Sequence, residues 1–176
     1  MNKKANEQYK SNERVILDVF TRLLEEKDLR KITVKEICED AHINRSTFYN
    51  HFEDVYGVLE KMWIIHEENM KYIFRQSHSS SKKENLRMIL EYIKDNELFY
   101  RVSFHSPVFS KISSGFEIVF ISHEISGTCL KEKYEMEFMK QGFLMTISYW
   151  LDNDCNLSVD DLLDVIDTFY SLRHIK

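Results

Sequence analysis

Glycine and proline are nearly missing from this chain: four and one, respectively, among 176 residues. Sandwiches, barrels and doubly wound sheets need many tight turns built from those two residues, so the shortage disfavours all three. Long helices remain as the economical architecture. Cysteine is scarce too. Cys38, Cys129 and Cys155 are widely separated, and no Cys-x-x-Cys pair exists to make a zinc ribbon or a redox dithiol. Each is expected to be a small buried hydrophobe in a reducing compartment. No apolar run approaches the roughly 18 residues that a membrane span needs. The polar start MNKKANEQYKSNER has no apolar core for a secretory signal. Glycine-rich phosphate loops are lacking, and His66-Glu67 has no second histidine to complete a zincin helix. These absences nominate no metal, cofactor or catalytic constellation. A cytoplasmic, non-enzymatic, mostly helical protein is expected.

What is present is enough apolar material for a real core, 43% of the residues, alongside 30% charged side chains. The net charge of −5 argues against a polycation that binds nucleic acid indiscriminately. The acidic excess falls beyond residue 52, so any anion-binding role belongs to the N-terminal third.

The first ten residues read as a flexible polar arm carrying Lys3, Lys4 and Lys10. From Ser11, the residues Ile16, Val19, Phe20, Leu23 and Leu24 form one apolar stripe of a helix that fades near Lys27–Asp28. Thr33 and Glu36 then make a capping box, in which each side chain satisfies a free backbone N–H of the helix start. Behind it, Val34, Ile37, Cys38 and Ala41 share one face of a helix of about two turns. His42-Ile43-Asn44 breaks that pattern, and Asn44 is a good N-cap for a new helix from Arg45 to about Phe52. Phe48 and Phe52 turn inward there; Arg45, Ser46, Thr47, Tyr49 and Asn50 are left outside. Two short helices, a tight turn and a polar second helix make a helix-turn-helix.

Further on, Val55, Val58, Leu59, Met62 and Trp63 mark a long helix from Asp54, and SHSSSKK (77–83) is a loop. Helices follow around Leu86–Ile93 and Leu98–Phe104, the latter stopped by Pro107. Residues 114–132 read as helix. Met139, Phe143, Ile147 and Trp150, flanked by Leu144 and Leu151, define another helix. Ser158 caps a last one carrying Val159, Leu162, Leu163, Ile166, Phe169 and Tyr170.

The run ITVKEICEDAHINRSTFYNHFEDVYGVL, with its Thr33 cap, Ile37 and Ala41, and above all the aromatic spacing of Thr47-Phe48-Tyr49 to His51-Phe52, closely resembles the DNA-binding domain of TetR-family transcriptional regulators. The resemblance is strong over residues 11–62 and weaker near the C-terminus. It implies an all-α fold of about nine helices. Residues 1–52 would be a three-helix DNA-binding domain, and residues 53–176 a larger helical domain for ligand binding and dimerisation. It also implies a homodimeric repressor on a pseudo-palindromic double-stranded operator, released by a small-molecule inducer whose identity the sequence leaves open.

The DNA-facing set would be Thr33, Asn44, Arg45, Ser46, Thr47, Tyr49, Asn50 and His51. Arg45 is suited to a guanine edge; Tyr49 and His51 are suited to phosphate, as the matching family positions usually are; Thr33, at a helix start, is a further phosphate candidate. The dimer surface would be Phe143, Ile147, Trp150 and Leu151 with Leu162, Ile166 and Phe169. Pocket candidates are Trp63, Phe74, Tyr92, Phe99, Phe104, Met145 and Tyr149. Two positions depart from the family pattern. His42 stands where the turn usually has glycine, at a cost of about 1 kcal/mol if the backbone is left-handed. Val55 stands where a phosphate-binding lysine is common. Both keep a second class open: a helical interaction module whose helix-turn-helix no longer binds DNA.

Overall fold

The computed structural model describes residues 3–76, 82–109 and 129–172, and among them all regular structure is helical. Eight α-helices run in the order α1 (Lys3–Glu26), α2 (Val34–Asp40), α3 (Arg45–Tyr49), α4 (Val55–Gln76), α5 (Lys82–Asp95), α6 (Glu97–Phe104), α7 (Leu130–Asp152) and α8 (Val159–Leu172), with a 3-10 turn at Leu29–Lys31 after α1. The helix expected over 114–132 lies outside the described residues up to position 128, as do residues 77–81 of the serine-rich loop. Lys82 and Lys83, expected in that loop, instead open α5.

Two compact units divide the chain. The first runs through His66 and includes Ser106–Val108; the second comprises Glu67–His105 and the chain from Phe109 onward. The first half of α4 therefore belongs to the N-terminal unit. That unit is built around the α1 stripe, with Ile16 and Phe20 fully buried, and around Ile37, Phe48, Val58 and Leu59 from the following helices. Ion pairs tie α1 and its C-terminal end to α2: Arg22 to Asp40 at 2.5 Å, and Lys27 to Glu36 at 2.7 Å.

The polar N-terminus is not an arm: α1 already begins at Lys3. KKANEQYK contains no glycine, proline or β-branched residue, so nothing in it resists helix, and the apolar stripe behind it supplies the nucleus.

In the second unit α5 packs against α8 and α6 against α7. Tyr100, Leu90, Ile93, Leu144, Ile147 and Leu151 are among its fully buried side chains. The residues expected at a dimer surface on α7 and α8 are largely turned inward. Phe143, Ile147, Trp150, Leu151, Leu162 and Ile166 are all buried inside the single chain, and the side chain of Phe169 lies outside the description. At 100° per residue the four on α7, with Leu144, fall in one arc, a single inward face. Of the cysteines, Cys38 and Cys155 are buried as expected. Cys129 is exposed because it sits at the N-cap of α7, where its N–H donates to the Glu132 carboxylate at 3.2 Å.

Candidate nucleic-acid interface

The Thr33–Glu36 capping box forms as its spacing predicts. Glu36 N–H donates to Thr33 Oγ1 at 3.2 Å, and Thr33 N–H donates to Glu36 Oε2 at 3.0 Å. The Thr33 hydroxyl also donates to Glu36 Oε2, at 2.8 Å. Its hydrogen is thus engaged, and the neighbouring carboxylate is held charged: the Lys27 ammonium and the Thr33 donors lower Glu36 from its ordinary 4.5 to about 2. In the free chain, therefore, Thr33 serves α2 as its cap.

The end of α2 is a Schellman turn. Ile43 N–H reaches Cys38 O at 3.0 Å, and His42 N–H reaches Glu39 O at 3.3 Å. That geometry demands a left-handed residue one past the C-cap, and His42 takes it with φ 53°. The same motif ends α7, where Cys155 N–H bonds Trp150 O and Asp154 has φ 53°.

Immediately afterwards Asn44 starts α3. Its side-chain oxygen accepts from Thr47 N–H at 2.7 Å and from the hydroxyls of Ser46 and Thr47 at 2.6 and 2.8 Å. Inward, Phe48 is completely buried and Phe52 nearly so. Outward, Asn44, Arg45, Ser46, Tyr49 and Asn50 are exposed, while Thr47 and His51 are half-buried. Arg45 forms no salt bridge among the described residues, so its five donors are available. Tyr49 is 57% exposed with its ring edge-on to Phe48, centroids 5.6 Å apart. A short helix with a polar outer edge and two buried phenylalanines beneath it has the surface chemistry that a major groove accepts.

The family model described as bacterial regulatory proteins, tetR family, matches residues 16–62, the span from the α1 stripe through α3 into α4. The crystal structure of a TetR transcriptional regulator from Streptococcus agalactiae 2603V superposes with a TM-score of 0.72 and 25% identity, over 94% of this chain and 96% of that one. Residues 16–62 of this chain belong to the N-terminal domain of the TetR family. Two curated relatives show how far sequence similarity reaches. The HTH-type dhaKLM operon transcriptional activator DhaS of Lactococcus lactis is 28% identical over 92 residues. The HTH-type regulator YvkB of Bacillus subtilis is 30% identical over 95 residues. Each match takes in 52% of this chain, which spans about half the length of those relatives.

The pocket candidates have different surroundings. Met145 and Tyr149 are 50% and 72% exposed on the outer side of α7, Trp63 is buried in the N-terminal unit, and the Phe74 side chain lies outside the description. Phe99 and Phe104 are packed core, and half-buried Tyr92 accepts from Asn69 through its hydroxyl at 3.1 Å and meets Tyr100 edge-on. Among the described residues no group of three or more His, Cys, Asp or Glu is placed to hold a metal, and no helix is long and apolar enough to cross a membrane.

Two features escaped sequence reasoning. Leu130, Tyr134, Phe138, Met145 and Tyr149 are exposed on α7, and all fall within about a third of its circumference, opposite the buried arc. Their four- and seven-residue spacing was legible, but it was overshadowed by the stronger stripe on the other side. Tyr9 was assigned to the arm. Yet it stands seven residues before Ile16, on the same helical face.

Proposed function

We propose that this protein is a sequence-specific DNA-binding transcriptional regulator that reads an operator with α3. The observation that carries this reading is the polar edge of Arg45, Ser46, Thr47 and Asn50, exposed or half-exposed above the buried Phe48 and Phe52. Arg45 is the base reader, worth about 1–3 kcal/mol of discrimination at one guanine, and Tyr49 and His51 hold phosphates. The head lies within residues 1–52, and residues 53–176 carry dimerisation and effector binding.

A helix as short as α3 reads too few bases alone, and a two-fold pair would read half-sites about one turn (~34–36 Å) apart. The bare apolar face of α7, with Phe138 76% exposed, supports a homodimer through that face. Repression by operator occupancy, relieved by a small molecule that prefers the DNA-incompetent state, completes the reading.

Fluorescence anisotropy against a library of genomic fragments, at low and moderate salt, tests it. Selective, salt-sensitive binding is expected. Absence of binding at every salt concentration would favour the interaction-module alternative. A promoter reporter fixes the sign of regulation: expression should rise when the gene is deleted.

A further inference from the structure

The C-terminal end of α3 is held by the first turns of α1. The rings of Tyr9 and His51 lie with centroids 3.9 Å apart at 36°, and the Tyr9 hydroxyl donates to the carbonyl of Asn50, the α3 C-cap, at 3.4 Å. Helix α3 has five residues, too few to be stable by itself. Asn44 secures one end. Tyr9, forty-one residues from Asn50 in sequence, is a contact from outside the helix-turn-helix at the other.

The stack also decides how His51 presents itself. Its Nδ1 is buried without a hydrogen-bond partner, and the Phe52 ring is also near, with centroids 6.1 Å apart. A buried lone pair costs less than a buried unpaired N–H, which favours the tautomer with its proton on Nε2. The remaining charged neighbour, Glu13, is engaged by Lys61 at 3.2 Å. Burial lowers the His51 pKa, consistent with a neutral ring in the free protein.

We propose that Tyr9 is a positioning residue of the reading head: by stacking on His51 and bonding Asn50 it fixes the end of α3 and aims His51 Nε2–H at a DNA phosphate. This rests on the DNA-binding reading, but its first test does not. In ¹H–¹³C NMR of the free protein, with the His51 resonance identified by its loss in His51→Ala, the wild-type imidazole should titrate below the ordinary range and carry the ring-current shift of Tyr9. Tyr9→Ala should return both to ordinary values, and Tyr9→Phe should keep both. The second arm is DNA affinity. Tyr9→Ala and His51→Ala should each weaken binding about tenfold per half-site, equivalent to ~1.4 kcal/mol. The double variant should be no weaker than either, and Tyr9→Phe should stay within about twofold of wild type.

An unchanged His51 resonance in Tyr9→Ala overturns the proposal, as do strictly additive effects on affinity. Tyr9→Leu, which keeps an apolar cover without an aromatic face, should behave like Tyr9→Ala if stacking is the cause; wild-type behaviour from it overturns the stacking role. A wild-type chain that binds no fragment overturns the regulator reading and the phosphate role together, and the imidazole titration then still decides whether Tyr9 fixes the ring.

Discussion

Asn44 caps α3 through Thr47 twice over: its side-chain oxygen accepts both the backbone N–H at 2.7 Å and the hydroxyl at 2.8 Å. Replacing Asn44 with alanine strands those donors in a helix of five residues. Stability should fall by about 1–2 kcal/mol, read as a lower midpoint in thermal unfolding by circular dichroism. Asn44→Asp keeps the acceptor and should restore the midpoint, yet bind DNA more weakly because it sets a carboxylate beside phosphate. Equal affinities for Asn44→Asp and wild type would place Asn44 away from the duplex.

Arg45→Ala should relax preference at a single operator position, measured by selection from a randomised half-site. Tyr49→Phe should weaken every sequence alike, since a phosphate contact carries no base information. Val55, standing where the family commonly has lysine, removes one cation from the interface. The salt dependence should therefore correspond to fewer than six phosphate contacts per half-site. An unchanged preferred sequence in Arg45→Ala would remove Arg45 from base reading.

His42 occupies the left-handed position of the Schellman turn at φ 53°. Glycine there relieves strain of about 1 kcal/mol, partly offset by the greater freedom of the unfolded chain. His42→Gly should raise the melting temperature by at most ~2–4 °C and leave operator preference intact. A lower midpoint would mean that the imidazole contributes more than the turn costs.

Leu144 and Phe138 sit on different faces of α7, one fully buried and the other 76% exposed. Leu144→Ala should cost about 2–5 kcal/mol of fold stability. Phe138→Glu should leave the fold intact but shift the protein from dimer to monomer in analytical ultracentrifugation. A dimer untouched by Phe138→Glu would move the interface elsewhere.

Lys27 and the Thr33 donors hold Glu36 at about 2, below its ordinary 4.5. A carboxylate depressed by folding lends stability that is fully present above its unfolded value and is lost as pH falls through the folded one. Wild type should therefore lose this contribution between about pH 4.5 and 2, whereas Glu36→Gln should show a flatter dependence of its melting temperature across that window.

Where the pattern was local, the sequence was transparent. Thr33 with Glu36, Asn44 before Arg45, Ser158 before Val159 and the paired phenylalanines each need only a few neighbouring residues, and each forms as read. What misled was the question of which partner a face meets. Ile147 and Leu151 are apolar whether they face their own chain or a second copy, and periodicity cannot tell the two apart. Tyr9 was hidden for the opposite reason: one aromatic in a run of polar residues makes no stripe, and its meaning comes from His51, far along the chain.

Because α3 borrows its rigidity from Asn44 at one end and Tyr9 at the other, while Phe48 and Phe52 anchor it from below, the outward positions Arg45 and Asn50 carry almost none of the structural burden. On the proposed reading of α3 as the operator-binding helix, new side chains there should retarget the protein to another operator without remaking the scaffold that presents them.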